Sequence, residues 1–160
     1  MKVSDLEIQE IYQILAVYMH TKEADSMKNF CQHGSVNTYD HVMYVTKMCY
    51  YLNKRFHLGG DTKVLLTGAF LHDFYLYDWH EKDEHHKWHG FSHAQTALEN
   101  ASAMFPLEEK EKDMIAHHMW PLTITKVPQC KEAFLLCLVD KYCSLIETLF
   151  MRSPQVAAER

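Results

Sequence analysis

The sequence is poor in the signals that mark several protein classes. It has no Cys-x-x-Cys pair, and its five cysteines (Cys31, Cys49, Cys130, Cys137 and Cys143) are odd in number and sit mostly inside apolar helical patterns. That predicts reduced core thiols, not a disulfide framework or a cysteine metal site. Strand-like alternation and internal repeats are absent, and glycine and proline, at five and four residues, mainly punctuate the chain, as at Gly59-Gly60, Pro106 and Pro121. No apolar run approaches membrane-spanning length, and the segment Met1-Lys2-Val3-Ser4-Asp5-Leu6-Glu7 lacks the apolar stretch of a signal peptide. The expectation is a cytoplasmic protein with no membrane partner. Basic excess is missing too: net charge is −5 with histidine neutral, which argues against nucleic acid. Arginine occurs three times, twice within the last nine residues.

What the chain does have is apolar content and histidine. At 160 residues and 48% hydrophobic it can build one sizeable core. A single domain is expected over residues 1–152, with a frayed tail at 153–160. Twelve histidines exceed what a surface needs, and imidazole favours zinc, iron, manganese and nickel over calcium or magnesium.

Helical periodicity runs along nearly the whole chain, predicting an all-α bundle of about six to seven helices around a buried metal site. Ser4 and Glu7 form a capping box ahead of a stripe of Ile8, Ile11, Leu15 and Tyr18. A short helix is expected over Ala24–Cys31. Thr38 is expected to cap the next helix, whose stripe of Val45, Met48/Cys49, Leu52 and Phe56 runs to Gly59-Gly60 and carries His41 one turn before Val45. Asp61 or Thr62 opens a helix with Leu65, Gly68/Ala69 and His72 on one face, the small pair allowing a neighbouring helix close approach. Asp78–Gly90 is polar, aromatic and rich in histidine, and is a lid candidate. Further helices are expected from Ser92, over Leu107–Trp120, and over Lys131–Phe150.

The chemistry lies where acids and imidazoles interrupt these apolar faces. Asp140 closes the run Leu135-Leu136-Cys137-Leu138-Val139. A carboxylate buried there alone would cost several kcal/mol, so it needs a cationic side chain or a metal, and arginine is scarce. Neighbouring helical side chains point about 100° apart. His72 and Asp73 can therefore serve one site only at a helix end, where a carboxylate between two ions bridges them. His117 and His118 pose the same problem, which Trp120-Pro121 would solve by ending their helix.

The ordered set His41, His72-Asp73, His93, His117-His118 and Asp140 resembles the HD-domain superfamily of metal-dependent phosphohydrolases, specifically its two-metal branch, over residues 30–150. The segments Gln32-His33-Gly34-Ser35, Tyr39-Asp40-His41, His89-Gly90-Phe91-Ser92-His93 and Asp140-Lys141-Tyr142-Cys143-Ser144 also look like a group of bacterial HD proteins described only as predicted hydrolases. The resemblance implies one divalent transition-metal ion held by His41, His72, Asp73 and Asp140. A second would be held by Asp73, His93, His117 and His118, with Asp73 as the catalytic bridge and iron, manganese, nickel, cobalt or zinc as the metal. Phe74-Tyr75-Leu76 stands where Ile-Gly-Lys usually follows the His-Asp pair in the cyclic-dinucleotide-cleaving HD-GYP group, and no Gly-Tyr-Pro occurs. That substrate is therefore not expected.

The implied activity is phosphomonoester or phosphodiester hydrolysis of a small phosphorylated molecule or nucleotide through a metal-activated water. Weaker candidates for meeting the substrate are His33, Trp88, His89 and Lys141. A di-iron oxygenase of the same fold is the alternative enzyme, and a metal-bearing regulatory module without turnover is the alternative to an enzyme.

Overall fold

A computed structural model describes residues 3–33, 35–77 and 89–150. The expected tail at 153–160 and most of the lid candidate, residues 78–88, lie outside the described residues. Seven α-helices account for nearly all the described secondary structure: α1 (Asp5–Met19), α2 (Lys22–Ser26), α3 (Thr38–Arg55), α4 (Thr62–Leu71), α5 (His89–Met104), α6 (Glu109–His117) and α7 (Lys131–Phe150). None is long and apolar enough to cross a membrane.

Helix α4 is the hub. It touches α1, α3, α5, α6 and α7, and every residue from Val64 to Leu71 is buried. A helix apolar all round is stable only inside a core, which is where α4 lies. One apolar cluster joins Ile11, Leu15 and Tyr18 of α1 to Leu66 and Phe70 of α4; a second joins Cys49 of α3, Leu65 and Ala69 of α4, Met114 of α6 and Leu136 of α7. The close approach predicted at Gly68 is made by α6: a Cβ there would lie 2.5 Å from Met114 Sδ and 2.8 Å from Met114 Cβ.

Capping sets most of the boundaries. Ser4 and Glu7 form the capping box of α1. Asp61 accepts from Val64 N at the start of α4, leaving Thr62 inside the helix. For α3 the cap is Asn37, whose Oδ1 accepts from Asp40 N at 2.8 Å, so Thr38 is the first helical residue and not the cap. The expected helix over Ala24–Cys31 is three elements. Thr21 caps α2, a 3-10 turn covers Met27–Asn29, and Cys31 enters a short strand β1 (Cys31–His33) paired antiparallel with β2 (Val36–Asn37). Strands of three and two residues are too short to show alternation.

Three further boundaries differ. α3 ends at Arg55, after which His57 and Gly59 adopt left-handed φ of 51° and 68°. α5 begins at His89, earlier than Ser92. α6 spans Glu109–His117 instead of Leu107–Trp120, because Glu108 and Glu111 form its capping box and the chain turns after His118.

Candidate metal centre

Two helices end on a histidine in the same way. His72 is the C-cap of α4, and its Nδ1–H donates to the Ala69 carbonyl at 2.8 Å; His118 is the C-cap of α6 and donates to the Ile115 carbonyl at 2.9 Å. Carbonyls in a last turn lack intrahelical partners, so each ring satisfies one and is fixed by it. With Nδ1 protonated, a neutral ring presents Nε2 as a bare lone pair, which is the ligating form of histidine. His41, in the first turn of α3, is oriented likewise by Glu147 of α7, whose Oε2 lies 2.8 Å from His41 Nδ1.

These nitrogens converge on two carboxylates. Asp73, next to the α4 cap and 2% exposed, turns Oδ2 toward His72 Nε2 (3.3 Å) and His41 Nε2 (3.8 Å). Its Oδ1 faces His93 Nε2 (3.3 Å) and His118 Nε2 (3.4 Å). Asp140, from the buried face of α7, puts Oδ1 3.2 Å from His41 Nε2 and 3.6 Å from His72 Nε2. Three groups of potential ligand atoms each lie within 4.8 Å of one another: His41, His72 and Asp73; His72, His118 and Asp140; Asp73, His93 and His118. His72 and His118 thus sit between the two halves, a less clean division than the resemblance implied.

The electrostatics call for a cation. Burial pulls the His41 ring's pKa down, but its bonds to Asp140 and Glu147 outweigh burial and push it up to about 9. His72 is also opposed by burial, yet the nearby negative charges of Asp73 and Asp140 carry it to about 10. Burial raises Asp73 and Asp140, but the surrounding imidazoles hold both well below the usual carboxylate range. His72 Nε2 and Asp73 Oδ1 are buried without a hydrogen-bond partner, and His93 Nε2 faces His118 Nε2 at 2.9 Å. A nest of buried imidazoles and carboxylates with orphaned polar atoms fits a divalent transition metal, which would take the place of the protons on these rings, and the nitrogen and oxygen donor set suits one.

His117 is not brought to this nest and is in none of the three groups. It is the last residue of α6, and His118 after it keeps helical dihedrals (φ −60°, ψ −23°), so the 100° offset between the two rings persists. Asp113, one turn back, accepts from its Nδ1 at 2.6 Å. Asp113 in turn accepts from Gln129 N and Cys130 N, tying α6 to the entry of α7. Among the weaker candidates, Lys141 is half-buried and donates to the His118 carbonyl at 2.8 Å, with Nζ 3.8 Å from Asp140 Oδ2. It is no free surface charge. Trp88 and the side chains of His33 and His89 lie outside the described residues.

Two contributors, Glu147 and Gln32, have no site role expected from sequence, although the segment around Gln32 carried part of the family resemblance. Glu147 lies two helical turns beyond Asp140, a spacing that shares a face and could have flagged it. Gln32, on β1, donates from Nε2 to Asp73 Oδ2 at 2.6 Å, while its Oε1 accepts from the Tyr75 and Thr38 hydroxyls. Those hydroxyls fix which way the amide points. A three-residue strand offers no periodicity from which to infer this.

A helical bundle that gathers histidines and aspartates from five helices into one buried cluster could hold a metal ion there. The family model for the HD domain matches residues 38–145, more than half of the chain, and the chain belongs to that family. The family is generally one of metal-dependent phosphohydrolases. The match includes every converging ligand from His41 to Asp140, and leaves Gln32 and Glu147 outside it. Searches of curated proteins and of solved structures find no match to this chain.

Proposed function

We propose that this protein is a two-metal hydrolase of small phosphate esters, a nucleotide or another phosphorylated metabolite. The observation that carries the reading is the split of the Asp73 carboxylate, with Oδ2 toward His72 and His41 and Oδ1 toward His93 and His118. His41, His72, Asp73 and Asp140 would hold one ion, and Asp73, His93 and His118 the other. When bound, such a pair supplies the Lewis acidity that activates water and neutralises phosphoryl oxygens. The chain does the positioning: Gln32 and the C-cap carbonyls lock the ligands, so little reorganisation is left for the reaction. The place of Lys141, with Nζ 3.8 Å from Asp140 Oδ2 and its side chain partly exposed, supports a role in meeting an anionic substrate, and the net charge of −5 argues for a small anion over a nucleic acid.

The test is metal-depleted protein reloaded with manganese, cobalt or nickel and assayed under argon for phosphate release from nucleotides and aryl phosphates. Release without oxygen supports the reading. Turnover that needs both iron and dioxygen, with no phosphate released by any metal form, replaces it with the oxygenase. Bound metal with neither activity would leave a regulatory module.

A further inference from the structure

Helix α7 is amphipathic in an unusual sense. Its inner face carries Asp140 and Glu147 into the metal centre, whereas its outer face is greasy. After Lys131, every exposed residue of the helix is apolar: Phe134, Leu138, Tyr142, Leu145, Leu149 and Phe150, with exposures from 40% at Phe134 to 75% at Phe150. The stripe is about 24 Å long at 1.5 Å per residue. Single exposed apolar residues are ordinary, but an apolar stripe whose one flanking charge, Lys141, is turned back onto the His118 carbonyl has the composition of an interface core.

The spacing says what fits it. Leu138, Tyr142, Leu145 and Leu149 follow one another at intervals of four, three and four residues, the a/d seam of two heptads. That series reads the same from either end, so a second α7 laid antiparallel across a two-fold axis sets Leu138 against Leu149 and Tyr142 against Leu145, each pair twice. The area agrees. The four seam side chains expose roughly 450 Å² per chain, within the range of the largest apolar patch of a typical monomer. Two copies would bury about 900 Å² from the seam alone, and the flanks of the two helices bring the contact toward the roughly 1,000 Å² that a specific interface needs. The patch also extends past the helix. Leu138 and Leu135 line a cavity of about 270 Å³ with Leu58 and Leu65, at the end of the bundle away from the metal centre, and Trp120 packs on Phe134 at 5.8 Å between ring centroids.

We infer that this face pairs with a second copy of the same chain, giving a two-fold dimer joined by antiparallel α7 helices. The dimer seals the outer side of the helix that supplies Asp140 and Glu147, while the inner ligands stay within each copy. It is independent of the hydrolase reading, since nothing in it depends on what the metal centre does.

The experiment is sedimentation of the full chain at micromolar concentration, unaltered and with Leu138→Glu or Leu149→Lys. Both positions are well exposed, so the helical circular dichroism and thermal midpoint of each variant should match the parent. The parent should sediment as a dimer and each variant alone as a monomer or a markedly weaker dimer. An equimolar mixture of the two variants should recover the dimer, because the antiparallel seam sets the carboxylate introduced by Leu138→Glu against the ammonium introduced by Leu149→Lys and leaves Leu149 facing Leu138 in the other pair. A monomeric parent overturns the inference, as does a parent dimer that neither substitution weakens. Weakening without rescue in the mixture overturns the antiparallel pairing. A monomer that instead binds anionic phospholipid vesicles assigns the stripe to a membrane surface.

Discussion

His41 is gripped at both ring nitrogens by one helix: Glu147 Oε2 lies 2.8 Å from Nδ1 and Asp140 Oδ1 lies 3.2 Å from Nε2. The first turn of α3 is thus fastened to α7 through a single buried imidazole. One carboxylate is placed to share a metal with that ring, and the other to orient the ring and raise the basicity of its ligating nitrogen. This gives Glu147 a definite function without placing it among the ligands.

Glu147→Gln keeps the size of the side chain and an oxygen that can accept from Nδ1–H, but removes the charge. Metal affinity should fall about 10- to 100-fold, in the range found when partners of ligating histidines are lost, while the helical circular dichroism is kept. Competition titration against a chelating dye measures it. Glu147→Ala should in addition lower stability by roughly 1–3 kcal/mol, because it leaves the Nδ1–H buried and unpaired. An affinity unchanged by Glu147→Gln would show that Glu147 only fills space.

The sequence made the helices legible wherever an apolar stripe was long enough to have a period, as in α1, α3 and α7. It was silent on the hairpin, where a 3-10 turn and the first strand residue, Cys31, replace the expected end of a helix, and so gave Gln32 no role although its segment carried part of the family resemblance. Adjacent histidines show the limit most clearly. Nothing in the pair His117-His118 says which ring turns inward; both residues keep helical dihedrals, so the choice depends on how α6 is rotated about its axis and on Asp113 standing one turn before His117. Asp140 was legible because burying a carboxylate in an apolar run demands a partner, whereas Glu147 needed the further step of counting two turns along the same face.

Gly68 was read from sequence as a point of close helix approach, and its consequence can be measured. The Cβ of Gly68→Ala would overlap Met114 Sδ and Cβ, so α6 must move off α4. Overpacking of this kind costs about 1–3 kcal/mol, seen as a lower thermal midpoint. The same shift carries His118 away from Asp73, so metal retention should fall with stability. Met114→Ala in the Gly68→Ala background makes room for the new methyl and should recover part of both losses. Full stability in the single variant would mean that the α4–α6 contact is looser than the structure shows.

Metal-free protein should be sensitive to alkali. The folded values of His41 and His72, about 9 and about 10, lie above the ordinary 6.5, so the folded state binds the extra protons. Their contribution to stability is complete below 6.5 and is lost as pH rises through 9 and 10. Asp73 and Asp140 are depressed, so theirs is present above the ordinary 3.8 and is lost as pH falls below it. In chelator the thermal midpoint should therefore decline from about pH 6.5 to pH 10. Metal-loaded protein should resist that decline, since ions replace protons at Nε2 and bind more tightly as protons leave. Parallel melting curves with and without chelator would contradict a metal at these rings.

The two-ion reading stands or falls on Asp73, whose two oxygens face different histidines. Asp73→Ala should empty both positions, whereas His93→Ala should weaken mainly the position shared with His118. Elemental analysis of protein never exposed to chelator should then find about two ions in the parent. It should find close to none in Asp73→Ala and an intermediate content in His93→Ala. Stability should follow, because an emptied site leaves Asp140 and several imidazoles buried without the ion that binds only the folded state. His117→Ala is the internal control: its ring is bonded to Asp113 and lies outside the ligand groups, so metal content should stay at the parent level. Equal metal loss from Asp73→Ala and His93→Ala would mean a single shared ion, and metal loss from His117→Ala would mean that its ring swings inward when the site is filled.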